Sequence, residues 1–138
     1  MVKVIMGLRG SGKTKRLVDS INTAIHEESG SLVCIEKGNK LMYDIDYRVR
    51  LIEASEYMMG SFTFLKGFIS GLHGGNFDIS HVFIDSLYKI SGDQDPAHVE
   101  DFLNWCETFG KANNMDFTIL VSDDPARMPE GVRRFLDA

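Results

Sequence analysis

The sequence predicts one α/β domain over residues 1–138: a three-layer fold with a mostly parallel sheet of about five strands, covered by helices on both faces. Two observations carry this. Short apolar runs bounded by turn residues recur along the chain, and segments with helical apolar spacing lie between most of them. Strands separated by helices build right-handed βαβ units, which bury a parallel sheet on both sides. No repeat, low-complexity tract or linker divides the 138 residues, enough for one core burying roughly 68% of the unfolded chain's surface.

Val2 to Met6 reads as a buried strand, and Lys13 to about Glu28 as a helix with Leu17, Ile21, Ala24 and Ile25 on one face. Ser29 and Gly30 end it, Ser31 to Glu36 forms a second strand, and Lys37 to Lys40 a polar turn. Leu41 to Tyr47 suits a short ribbon or a loop, and Arg48 to Ala54 alternates like a strand. From Ser61 to Leu72, Phe62, Leu65, Phe68, Ile69 and Leu72 follow helical spacing, with Ser61 as N-cap and Gly74-Gly75 as the stop. His81 to Asp85 is a buried strand. Asp95 before Pro96 starts a helix through Val99, Phe102, Leu103, Cys106 and Phe109, because Asp caps and Pro suits the first helical position. Phe117 to Val121 is the last strand, and Pro129 opens a short terminal helix carrying Val132, Phe135 and Leu136.

Composition narrows the function classes. A formal charge of −5 argues against general nucleic-acid binding. The first apolar run is too short for a signal peptide and no run approaches a membrane span, so a cytoplasmic protein is expected. Cys34 and Cys106 fall in a strand and a helix without metal-like spacing and read as buried thiols. His26, His73, His81 and His98 also lack ligand spacing. Trp105, Tyr43, Tyr47, Tyr57 and Met58-Met59 read as packing residues.

The chemistry concentrates in Gly7, Leu8, Arg9, Gly10, Ser11, Gly12, Lys13 and Thr14, which match G-x-x-x-x-G-K-[ST] at every fixed position between a strand and a helix. A glycine-rich turn there points successive N–H groups at one concavity, where they hold the phosphates of a nucleotide against the helix N-terminus. Lys13 then reaches the β- and γ-phosphates, and Thr14 ligates Mg²⁺. Lys13, Lys15 and Arg16 occupy the first helical turn, where each cation costs about 0.3–1 kcal/mol against the macrodipole. A docked polyanion removes that conflict. Glu27 and Glu28 have the wrong sign at the other end, and the sequence explains them only by solvation.

Such a loop needs a carboxylate on another strand, and His81-Val82-Phe83-Ile84-Asp85 supplies one. The two segments resemble the P-loop NTPase superfamily, GLRGSGKT as Walker A and HVFID as Walker B, and the phrase FIDSL resembles its RecA and KaiC branch. The resemblance implies an ATP·Mg-binding protein, a slow or partner-stimulated ATPase, with metal ligands Thr14 and Asp85 and catalytic residues Lys13, Asp85 and Glu36. Glu36 would be the water-orienting residue, since Ser86 stands where many ATPases carry the catalytic Glu. Ser122 or Asp123 would be the polar sensor on a neighbouring strand. Arg127, Arg133 and Arg134 read as solvated charges, leaving a second subunit or partner protein open as an arginine donor. GTPases are disfavoured, because Asp85-Ser86-Leu87-Tyr88 is not D-x-x-G and Asn39-Lys40 does not continue as N-K-x-D. A small-metabolite or nucleotide kinase and a non-hydrolysing switch remain open.

Overall fold

Strands β1 (Val2–Gly7), β2 (Ser31–Glu36), β3 (Val49–Glu53), β4 (Ile79–Ile84) and β5 (Asp116–Ser122) form one sheet in the order β1-β5-β4-β2-β3. All four pairings are parallel. This is a computed structural model that describes residues 1–38, 41 and 44–137. The expected α/β class holds, and the sheet is wholly rather than mostly parallel.

Side-chain alternation divides the core into two layers. Val4 and Met6 of β1, Val82 and Ile84 of β4, and Ile119 and Val121 of β5 face α2 (Phe62–Gly75) and α4 (Pro96–Asn113). Ile5, Cys34, Phe83 and Leu120 face α1 (Lys13–Glu27), which contributes Leu17, Ile21 and Ala24. Leu17 and Ile21 are fully buried, each worth roughly 1.5–3 kcal/mol. Glu36, His81, Asp85 and Thr118 share the parity of the α1 layer, so these buried polar groups all lie on that face of the sheet.

The helix starts follow the expected chemistry. Asp95 accepts from the Ala97 N–H at 2.9 Å and precedes Pro96 at the start of α4, and the Ser61 hydroxyl accepts from the Phe64 N–H at 3.1 Å at the start of α2. Each cap contributes about 0.5–2 kcal/mol. Several boundaries differ from expectation. Gly74 and Gly75 lie inside α2 rather than stopping it; the Asn76 N–H still reaches Leu72 O at 3.0 Å, so the helix closes one residue later. The terminal helix α5 spans only Glu130–Arg133, because Val4 of β1 claims the next backbone: Val4 N donates to Phe135 O and Asp137 N donates to Val4 O, both at 2.9 Å. That contact pins the otherwise free edge of β1. A short helix α3 (Leu87–Ser91) and 3₁₀ turns at Ala54–Glu56 and Pro125–Arg127 were not expected.

The ribbon considered for Leu41 to Tyr47 falls partly outside the described residues, as do Lys40 and Tyr43; Leu41 itself is buried, and Asp44 begins a turn. Trp105 packs on the core, stacked with Phe109 at 4.7 Å. Met59 is buried as expected, but Tyr47 and Met58 project into solvent at 93% and 86% exposure and pack nothing. Cys34 and Cys106 are buried free thiols. Among the described residues no helix is long and apolar enough to cross a membrane.

Candidate functional site

The carboxyl ends of β1, β5, β4 and β2 lie side by side, and the chemistry-bearing residues follow directly from them. After Gly7 the chain turns through Gly10 (φ 85°) and Gly12 (φ 83°), both in the left-handed region that favours glycine. Gly7 leaves room for a different reason, since a Cβ there would press on the Ser11 side chain and force it to shift. Gly12 is also the residue that caps α1, and it offers no side chain, so the first-turn amides of α1 are left to face outward. The loop is tied by Ser11 N donating to Leu8 O at 3.1 Å and Arg16 N to Gly12 O at 3.2 Å.

A cleft of about 440 Å³ opens above this loop, lined by Arg9, Gly10, Gly12, Lys13, Thr14, Lys15, Asp85, Ser86, Lys89, Leu120 and Ser122. Four of these side chains are cationic and one is a carboxylate, so the lining carries a net positive charge with one local exception. Lys13 is 7% exposed and its Nζ donates back to Leu8 O at 2.9 Å, folding the side chain across the loop. Thr14 and Lys15 are exposed on the first turn of α1. Gly7, Leu8 and Ser11 shape the loop without lining the cleft, and Leu8 is 61% exposed.

Asp85 enters from across the sheet. Its N–H donates to Ile35 O at 2.9 Å, extending the β2–β4 pairing one residue beyond the strand, and its side chain is buried. The next residue, Ser86, holds φ 61° and ψ 66°, a conformation that costs about 1–3 kcal/mol for a residue with a Cβ. Its hydroxyl points back to Asp85 Oδ1 at 3.4 Å. This strained corner turns the chain into α3, which presents Lys89 to the cleft. Sequence reasoning missed both Ser86's conformation and Lys89. The signal for Lys89 was its position one helical turn after the strand-ending Asp, but a five-residue helix is too short to show periodicity.

Glu36 ends β2, beside Asp85 just past the end of β4, and is 1% exposed. Its two oxygens lie 3.4 and 3.2 Å from the Leu41 N–H, so it anchors the segment following β2 and does not line the cleft. Burial, and then the carboxylates of Asp85 and Glu36, push the Cys34 thiol far above its usual range. The two acids therefore act on one buried neighbourhood. Of the two sensor candidates, Ser122 lines the cleft, in register with Gly7. Asp123 is turned away: it accepts from the Tyr88 hydroxyl at 2.7 Å and lies 3.5 Å from Arg127. Burial, then this Asp123 contact, raises the Tyr88 phenol.

The C-terminal arginines match their expected surface role. Arg127 is 74% exposed, Arg133 pairs with Glu130 at 3.2 Å, and Arg134 pairs with Glu107 at 3.1 Å while lying over the Phe135 ring. Glu28 receives the structural account the sequence lacked, since its carboxylate meets Ser80 and His81, each at 2.8 Å. No protein-family model matches the chain, and no curated protein matches it.

Proposed function

We propose that the chain binds ATP with Mg²⁺ in this cleft and hydrolyses it, slowly alone or faster with a partner. The observation that carries this reading is a convergence in one cleft: the left-handed glycine loop, the α1 N-terminus with Lys13 and Thr14, and the Asp85 carboxylate from a separate strand. Backbone amides and Lys13 hold the β- and γ-phosphates, and Arg9, Lys15 and Lys89 add positive charge around them. The Thr14 hydroxyl and Asp85 carboxylate are hard oxygen donors of the kind Mg²⁺ takes, and both line the cleft. When bound, that ion supplies charge neutralisation on the phosphate oxygens. Glu36 orients water once it exchanges its contact with the Leu41 N–H. ATP rather than GTP rests on the missing guanine-reading and switch motifs in the sequence.

The Glu36–Leu41 contact also favours a second reading, a nucleotide-dependent switch that does not hydrolyse, in which binding alters the segment after β2 and a partner reads it.

The experiment is equilibrium binding of Mg·ATP together with phosphate release, on the wild-type chain and on Lys13→Ala. Removing one charge about 4 Å from a phosphate at an effective dielectric of about 20 costs up to roughly 4 kcal/mol. A loss of up to about a thousandfold in affinity is therefore expected, with turnover abolished. Unchanged affinity in Lys13→Ala sinks the proposal. Transfer of phosphate to added nucleosides or nucleotides, instead of release as free phosphate, makes the protein a kinase.

A further inference from the structure

At the opposite end of the sheet from the phosphate cleft, three elements bring together Glu28 at the end of α1, His81 on β4 and Asp116 at the start of β5. One ligand atom from each lies within 4.8 Å of the others. We propose that these residues bind a divalent first-row transition metal of the Zn²⁺ class, at a site separate from the nucleotide.

The donor chemistry supports a metal of this class. One imidazole with two carboxylates suits Zn²⁺, Co²⁺ or Mn²⁺ better than the all-oxygen sets of Ca²⁺ and Mg²⁺. The two carboxylates balance a divalent charge. The negative end of the α1 macrodipole, which makes Glu27 and Glu28 unfavourable for the helix alone, attracts a cation to the same spot.

His81 is held as a ligand needs to be held. It is 6% exposed and stacked on Phe83 with centroids 4.0 Å apart and planes 9° apart, so its ring cannot turn. Nε2 meets the buried Thr118 hydroxyl at 2.8 Å, and Nδ1 meets Glu28 Oε2 at 2.8 Å. Without a metal Nδ1–H donates to the Glu28 carboxylate and Nε2 accepts from the Thr118 hydroxyl; on metal binding the ring proton passes to Nε2, which then donates to Thr118, and Nδ1 offers its lone pair to the ion, the outer-shell arrangement that fixes tautomer and ring direction in metal sites.

A hollow of about 360 Å³ lined by Glu28, His81 and Asp116 gives access from solvent. Two donors on one tetrahedral Zn²⁺ stand about 3.4 Å apart, so the Glu28–His81 pair at 2.8 Å opens slightly and the wider gaps, none above 4.8 Å, close by at most about 1.4 Å. Asp116, with 40% of its side chain exposed, has room to move, and doing so displaces the Met1 ammonium now 2.9 Å from its Oδ1.

The test is a Co²⁺ titration of the full chain, without an affinity tag or nucleotide, read by d–d absorption and repeated with Zn²⁺ by calorimetry. One equivalent is expected, with no thiolate charge-transfer band because both cysteines are buried elsewhere. Asp116→Asn and His81→Gln each weaken binding at least tenfold, and Thr118→Val weakens it about tenfold through the outer shell. Lys13→Ala leaves it unchanged. Asp116→Asn, at a half-exposed position, decides the matter if His81→Gln does not fold. No saturable binding at millimolar Co²⁺ means a hydrogen-bonded His–Glu pair only and overturns the proposal. Retained binding in Asp116→Asn, or a thiolate band, overturns it equally.

Discussion

Replacing Glu36 by Gln keeps the volume and one acceptor oxygen while removing the charge, so it separates an anchoring role from a catalytic one. As an anchor, the carboxylate accepts the Leu41 N–H at 3.4 and 3.2 Å while 1% exposed. A bond to a charged group contributes about 1.5–3 kcal/mol and a neutral one about 0.5–1.5, so the weaker bond costs roughly 1–1.5 kcal/mol. Relief from burying a charge works in the opposite direction. The net change should stay within about 1.5 kcal/mol. For 138 residues the unfolding entropy is near 0.3 kcal/mol per kelvin, so Tm moves by no more than about 5 °C. As the water-orienting residue, Glu36 supplies a factor of about 10²–10⁴, or roughly 2.7–5.4 kcal/mol of barrier. The expected outcome is phosphate release at saturating Mg·ATP lowered at least a hundredfold, with Tm inside the 5 °C window by calorimetry and Mg·ATP affinity within about threefold of wild type. Turnover within twofold of wild type, or a wild-type chain with no turnover, refutes the catalytic role and leaves Glu36 as an anchor in a nucleotide switch.

Mg·ATP at a hundred times its Kd should add about 2.7 kcal/mol of stability and raise Tm by roughly 9 °C. Asp85→Asn at the same concentration should shrink that shift to about 5 °C if affinity falls tenfold; an undiminished shift in Asp85→Asn removes it from the metal site. Gly110→Ala places a Cβ 2.5 Å from Met115 O and should cost about 1–3 kcal/mol in a denaturant melt. Gly67→Ala on the exposed face of α2, with open space at its Cβ, should stabilise by roughly 0.5–1 kcal/mol. His98 is raised above its usual pKa by Asp93 first and Asp95 second, and NMR titration should show Asp93→Asn returning it toward about 6.5. Because the folded value is the higher one, this stabilisation is complete below the unfolded pKa and lost as pH rises through the folded one.

The parts of the fold that were legible in the chain are those determined within one segment. Val2 to Met6 and Phe117 to Val121 read as strands because burial on both faces leaves an unbroken apolar run. Asp95-Pro96 marked the start of α4 through the local geometry of a cap. The strand order was not legible, because β5 pairs with β1 and β4 across long stretches of chain, and no local pattern records which strands become neighbours. The terminal helix was read too long for the same reason, since it was β1 that took the backbone of Phe135 and Asp137. At the site, the loop from Gly7 to Thr14 is a continuous string and Asp85 ends a visible strand. Lys89 and Ser86 depend on a corner whose conformation only the packed sheet enforces.

The reversed charges of α1 connect the two sites. A helix selected for its own stability carries acids first and bases last, and this one does the opposite at both ends. At the N-terminus Lys13 and Lys15 line a cleft formed by amides that no side chain caps, so the repulsion they create is the attraction a polyanion would feel. At the C-terminus Glu28 meets an imidazole that the sheet has buried and fixed, so its unfavourable position on the helix becomes a favourable one in the layer beneath. The ends are separated by 15 residues, about 22 Å of helix, far beyond the roughly 10 Å over which salt lets exposed charges interact. Each reversal must therefore have its own local cause. That is why a charge pattern which sequence statistics would score as a defect points instead to two separate places where α1 meets groups outside itself.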